Sequence, residues 1–118
     1  GTEKDLVAPW RSVYKLHRLT DAEITFVLTS GGHNAGIVSE PGHPGRRWRQ
    51  RTRPRSGSWV SPQEWEAGAA AHEGSWWTAW DGWLRAKGSG KLVPAREVRG
   101  ADSLAPAPGR YVQQRYED

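Results

Sequence analysis

Two ionisable residues on either side of a helix-and-strand unit constrain the fold of this chain more than any other feature. Asp5 precedes the stretch 9–19, and His33 follows the apolar run Ile24–Thr29 and a pair of glycines. A short run rich in β-branched and aromatic residues predicts a strand, and glycine permits the sharp turn after it. Asp5 also stands where a strand should end. We therefore expect an acid and a histidine on loops at the ends of two strands.

The stretch Pro9–Leu19 predicts a helix. Proline suits the first helical turn, because its missing N–H has no partner there. Apolar and aromatic residues then recur at helical spacing, which indicates a single buried stripe: Trp10, Val13, Tyr14 and His17.

The middle of the chain differs in composition. Six arginines lie between Arg46 and Arg55, among prolines and glycines. This composition predicts an exposed loop over residues 42–60, long enough that a structureless loop would need a functional reason.

A helical hairpin is predicted over residues 61–88. Ser61, Pro62 and Glu64 form a capping-box pattern, which starts a helix that should run to about His72. A second helix should run from Ser75 to Gly88, with tryptophans at positions 76, 80 and 83. The segment 89–118 is rich in glycine, proline and alanine, and we expect it to be extended and partly disordered.

Composition limits the function classes. The 118 residues include no methionine and open on Gly1-Thr2, so we expect a C-terminal piece of a longer protein. With 36 % apolar residues the core should be small. The absence of cysteine excludes a disulfide framework. We expect no membrane span, no metal site and no cofactor, and we take the cytoplasm as the location.

Each candidate residue also has a structural interpretation. Asp5 could simply cap the helix that begins at Pro9, and His33 could be a satisfied structural histidine. His17, His43 and His72 have no pattern that favours chemistry.

The tryptophans and arginines each allow more than one role. Eight tryptophans could form a stacking surface or, as we favour, a packing face. The net charge of +4 and the arginine run could indicate nucleic-acid binding, a contact with the phosphates of coenzyme A, or simply a solvated loop. A solvated loop is the favoured interpretation, and a nucleic-acid partner is not expected.

Five motifs, in order along nearly the whole chain, resemble the C-terminal end of the polyhydroxyalkanoate synthases. They are Gly1-Thr2 with Asp5 and Pro9-Trp10; Gly32 to Val38 with Pro41; Ser61-Pro62 with Trp65; Gly74-Ser75-Trp76-Trp77 with Trp80 and Trp83-Leu84; and Ala107 to Val112. Leu6 and Asn34 depart from the residues that members commonly carry at these positions, which bears on substrate range and subclass.

The resemblance implies the C-terminal segment of an α/β-hydrolase fold, incomplete on its own and with one or two strands. Residues 1–41 would form the last strand-helix-strand part of its core. The resemblance implies a Cys-His-Asp triad with Asp5 as the acid, His33 as the base and the cysteine upstream of this chain. Asp5 would hold the imidazole in the right tautomer and, as the resemblance also implies, activate the incoming 3-hydroxyl. The substrate would be a 3-hydroxyacyl-CoA, polymerised with release of CoA. A homodimer and a polyester granule surface would be further partners of the parent. A related thioesterase or a basic, tryptophan-rich nucleic-acid-binding module is the alternative.

Overall fold

The computed structural model describes residues 1–94 and 107–116. The chain forms a small mixed α/β unit whose elements follow one another in this order: helix α1 (Trp10–Val13), a 3₁₀ helix (Tyr14–Arg18), strand β1 (Ile24–Thr29), strand β2 (Arg47–Arg53), helix α2 (Pro62–Gly68), strand β3 (Ala70–Glu73), helix α3 (Trp77–Lys87) and a short 3₁₀ turn (Tyr111–Gln113). No helix in these described ranges is long and apolar enough to cross a bilayer.

The three strands form an antiparallel sheet in the order β1-β2-β3. The N-terminal segment lies along the free edge of β1 and runs parallel to it. The Gly1 nitrogen donates to the Val27 carbonyl at 3.0 Å. Thr29 N–H donates to Gly1 at 3.0 Å, and Glu3 N–H donates to Thr29 at 2.9 Å. This alternation is that of a parallel ladder. Because the two segments run in the same direction, their C-terminal ends lie next to each other.

The core covers one face of the sheet and is largely aromatic. Alternation along β1 places Phe26 and Leu28 on this face. The two short helices of residues 10–18 and helix α2 cover them with Trp10, Tyr14 and Trp65, all at most 5 % exposed. Trp65 packs edge-on to Phe26 with ring centroids 5.1 Å apart. Such pairs add about 0.5–1.5 kcal/mol beyond their buried area.

The first helix is shorter and tighter than the sequence predicts. Regular α-helix ends at Val13, and residues Tyr14–Arg18 continue as 3₁₀ helix. The predicted stripe is only partly buried: Tyr14 and His17 are buried, but Val13 is 41 % exposed. The tighter winding changes which residues share a face. His17 then stacks on Tyr14 at 4.1 Å.

The prediction of a loop over residues 42–60 is wrong at its centre. Residues Arg47–Arg53 form β2, the middle strand of the sheet, so the part of the chain that the structure describes has three strands rather than one or two. The strand pairs with β1 over its full length, from Ile24 opposite Arg53 to Thr29 opposite Trp48. Hydrogen bonds to β1 on one side and to β3 on the other hold the backbone of β2 in the sheet, although many of its side chains are charged.

The predicted helical hairpin is interrupted by a strand. The capping box forms as expected: Ser61 Oγ accepts from Glu64 N–H, and the Glu64 carboxylate accepts from Ser61 N–H. Helix α2 ends at Gly68 rather than near His72, because Ala70–Glu73 pairs with β2 as β3. The second helix spans Trp77–Lys87. Much of the tail predicted over 89–118 lies outside the described residues.

Candidate active site

Asp5 lies directly after the segment that pairs with β1, and both of its carboxylate oxygens are engaged. Oδ1 accepts the backbone N–H groups of Val7 and Ala8 at 2.9 and 2.8 Å. Oδ2 lies 2.9 Å from His33 Nδ1. Only 7 % of the side chain is exposed. The residue therefore both stabilises the turn before α1 and contacts the predicted histidine.

These hydrogen bonds favour the ionised form of Asp5. The backbone N–H of Ala8 contributes most to lowering the pKa of the carboxyl below its usual value, followed by the hydrogen bond from His33. A carboxylate that accepts several N–H groups is stabilised as the anion. At neutral pH Asp5 is therefore a negatively charged acceptor.

His33 lies on a loop whose shape depends on glycine. Gly31 has φ of +106°, a conformation that favours glycine, and an added Cβ would lie 2.9 Å from the Arg46 guanidinium. At Gly36 a Cβ would lie 2.6 Å from the Thr2 side chain and 2.8 Å from the Ser30 carbonyl oxygen. Gly31 therefore permits the turn after β1, and Gly36 permits the loop to pack closely against Thr2 of the N-terminal segment.

Backbone hydrogen bonds hold the two loops side by side. Lys4 N–H donates to the Gly31 carbonyl at 2.9 Å. The buried Thr29 hydroxyl donates to the Gly36 carbonyl at 3.2 Å. The separation between Asp5 and His33 is thus set by main-chain pairing and by a buried hydroxyl.

The geometry defines the tautomer of His33. A carboxylate accepts, so Nδ1 carries the proton that it donates to Asp5, and Nε2 of the neutral ring is left as an acceptor. Half of the His33 side chain is exposed. The imidazole can therefore take a proton at Nε2 while Asp5 stabilises the resulting cation, as in the base and acid of a triad.

The other histidines have different surroundings. His17 is 3 % exposed, and burial lowers its pKa. His43 Nδ1 lies 3.1 Å from the Glu40 carboxylate, three residues away on the surface. His72 stacks on Trp48 at 4.1 Å. Residues 1–94 and 107–116 hold no group of three or more acidic and histidine side chains that could bind a metal.

Three of the arginines on β2 bond to groups of the protein itself. Arg47 pairs with Glu3 at 2.7 Å, beside the Asp5 loop. Arg49 donates to the Ala69 carbonyl at 3.2 Å. Arg53 donates to three carbonyl oxygens, those of residues 20, 22 and 57. These guanidinium groups are used in folding, which weakens the interpretation of the run as a phosphate-binding surface.

Helix α3 faces the other side of the sheet across an apolar cavity of about 380 Å³. Side chains from both elements line it, including Val27, Trp80 and Trp83. Trp80 and Trp83 remain 47 % and 44 % exposed. The tryptophans of α3 thus form an open surface in the described part of this chain rather than a closed packing face.

Three residues at the start of α3 contact the histidine loop, a role that the sequence reasoning missed. Trp76 and Trp77 donate their indole N–H groups to the Ile37 carbonyl at 2.9 and 2.8 Å. The Ser75 hydroxyl donates to the Ser39 carbonyl. The Gly-Ser-Trp-Trp motif was visible in the sequence, but nothing there indicated that its partner would be a main-chain carbonyl.

Comparisons with known proteins agree on one family. No family model matches the chain. It is 35 % identical over 116 residues to the poly(3-hydroxyalkanoate) polymerase subunit of Cupriavidus necator, a match that covers 96 % of this chain and 19 % of that protein. It is also 35 % identical over 117 residues to the poly(3-hydroxyalkanoate) polymerase of Methylorubrum extorquens, covering 98 % of this chain and 19 % of the relative. Poly(3-hydroxyalkanoate) polymerase 2 of Ectopseudomonas oleovorans is 34 % identical over 113 residues, with 94 % and 20 % covered.

The chain is homologous to one segment of the poly(3-hydroxyalkanoate) polymerases. It spans about a fifth of the length of these relatives. The match runs along nearly all of the chain. The family suggested by the sequence motifs is thus the family that the comparisons find.

Proposed function

We propose that this chain is the C-terminal segment of a poly(3-hydroxyalkanoate) polymerase of the α/β-hydrolase fold. In this proposal Asp5 and His33 are the acid and base of a Cys-His-Asp triad, and the cysteine lies in the rest of the protein. The observation that carries the proposal is the 2.9 Å contact between Asp5 and His33, formed at the ends of two segments that pair in parallel. In α/β folds, ligands bind at the carboxyl ends of the strands.

The reaction begins with thiol activation. His33 Nε2 takes the proton of the cysteine thiol, since the thiolate is the species that attacks. The thiolate attacks the thioester carbonyl of a 3-hydroxyacyl-CoA, and the bond from carbon to the sulfur of CoA breaks. The imidazolium returns its proton to the departing CoA sulfur. A 3-hydroxyacyl thioester on the enzyme and free CoA remain.

Chain growth then requires a hydroxyl nucleophile. The 3-hydroxyl of one acyl group attacks the thioester of another, gives up its proton, and forms an ester while the cysteine sulfur leaves. We assign proton removal in this step to His33 rather than to Asp5. Both Asp5 oxygens already accept hydrogen bonds, and its pKa is lowered by them, so its carboxylate is a weak base.

The test is a pair of histidine variants in the full-length protein. His33→Gln should lower CoA release from 3-hydroxybutyryl-CoA by about 10⁴-fold, because it removes the base and keeps a similar volume. His43→Gln is the matched control, since His43 also contacts a carboxylate through Nδ1 but lies outside the site. Its turnover should be unchanged.

The products separate the proposal from its alternatives. Insoluble polymer with CoA release supports the polymerase. CoA release without polymer would indicate a thioesterase that uses the same pair of residues. Unchanged turnover of His33→Gln would overturn the assignment of His33.

A further inference from the structure

We propose that Ser75, Trp76 and Trp77 are positioning residues that hold the His33 loop in place for proton transfer. This inference rests on the proposed function for its catalytic meaning. The three residues, called here the indole clamp, lie at the start of α3 and bond the far end of the loop that begins at Ser30.

The clamp acts on two main-chain carbonyls. The Ile37 carbonyl oxygen accepts from Trp76 Nε1 at 2.9 Å and from Trp77 Nε1 at 2.8 Å. A carbonyl oxygen has two lone pairs, so both acceptor positions are used. The Ser75 hydroxyl donates to Ser39, and both serines are at most 4 % exposed.

The apolar side chains at the far end of the loop add little restraint. They are not buried, since Ile37 is 39 % and Val38 is 65 % exposed. The near end of the loop is held by Lys4, which bonds Gly31, and its middle by the Thr29 hydroxyl, which bonds Gly36 just before the clamped carbonyl. Two hydrogen-bonded turns connect His33 to the clamp, from Gly32 to Gly36 and from Asn34 to Ile37 and Val38. The clamp therefore fixes the second of two ends of the loop.

The clamp is itself rigidly built. Ser75 Oγ also accepts from Trp77 N–H at 3.1 Å, which forms a short side-chain turn just before α3. Trp76 stacks on Trp80 one helical turn later, with ring centroids 5.4 Å apart. At the other end of α3, Lys87 pairs with Glu23, just before β1, at 3.0 Å. The helix is thus tied both to the histidine loop and to the start of the strand that carries this loop.

The test removes the indole donors and keeps aromatic side chains. In the full-length protein, Trp76→Phe/Trp77→Phe should lower kcat for CoA release by about 10-fold to 100-fold, as expected when a base is slightly misplaced, with KM nearly unchanged. Trp77→Phe alone leaves one donor on Ile37 and should have a smaller effect. Trp83→Phe is the matched control, because Trp83 lies on the same helix and lines the cavity. Its kcat should be unchanged.

A second readout does not depend on turnover. In ¹⁵N-labelled protein, the Nδ1 proton of His33 should be visible by NMR, since Asp5 protects it from exchange, and it should broaden in the double variant but not in Trp83→Phe. Unchanged kcat together with an unchanged proton signal would overturn the clamp. If His33→Gln stayed active, the proposed function would fail, and the proton signal would still decide whether the clamp holds the loop.

Discussion

At the scale of single residues, Asp5 combines a structural role with a chemical one. One oxygen closes the turn before α1 and the other contacts His33. The hydrogen bonds that stabilise the turn and the one that orients the imidazole all favour the ionised carboxylate, so the two roles are linked through its charge.

This linkage predicts an acid-sensitive contribution to stability. Because the pKa of Asp5 is lowered in the folded chain, its contribution is fully present above the usual carboxyl value of about 4 and is lost as the pH falls through the lower folded value. Urea unfolding midpoints measured at decreasing pH should show this loss. In Asp5→Asn that part of the pH dependence should disappear. The control Asp21→Asn, which removes the charge of an exposed residue, should keep it.

At the scale of elements, the histidine loop is defined by the space left at Gly36. Gly36→Ala should destabilise the chain by about 1–3 kcal/mol, the usual cost of overpacking, because the new methyl group would meet Thr2 and the Ser30 backbone. Gly82→Ala is the matched control. A Cβ there meets nothing within 4 Å, and alanine is favoured within a helix by about 1 kcal/mol.

Thermal unfolding of both variants measures these opposite effects. The unfolding midpoint of Gly36→Ala should fall and that of Gly82→Ala should rise. Equal midpoints for Gly36→Ala and the wild type would contradict the packing described for this loop.

The sequence predicts the elements that carry local signals. Strand β1, the capping box of α2 and most of α3 are marked by β-branched residues, a serine-proline start and spaced tryptophans. The same signals placed Asp5 and His33 on neighbouring loops, although their contact required the parallel pairing of Gly1–Glu3 with β1.

The elements missed by the sequence depend on tertiary pairing. Strand β2 alternates arginines with Trp48, Gln50 and Thr52. This period of two is typical of a strand, but the high density of charge led to the prediction of a loop. Arg49 and Arg53 become compatible with the sheet because they bond to carbonyls. In β3 the alanines favour helix locally, and pairing with β2 overrides that preference.

At the scale of the whole molecule, stability is concentrated on one face of the sheet. Trp65→Ala should cost about 3–5 kcal/mol, as large core truncations do, because Trp65 is 2 % exposed and packs on Trp10 and Phe26. Trp83→Ala should cost less than about 1 kcal/mol in this chain, since Trp83 is 44 % exposed. Chemical denaturation distinguishes the two, and equal losses would contradict a one-sided core.

The indole clamp affects which positions in this region can change in sequence. Trp76 and Trp77 bond the carbonyl oxygen of residue 37 and not its side chain. These two hydrogen bonds therefore do not depend on which amino acid stands at position 37. We expect position 38, which is 65 % exposed, to accept residues of many sizes, and positions 75–77 to accept few. The contact thus constrains the residues that donate the hydrogen bonds more than the residue that supplies the carbonyl oxygen.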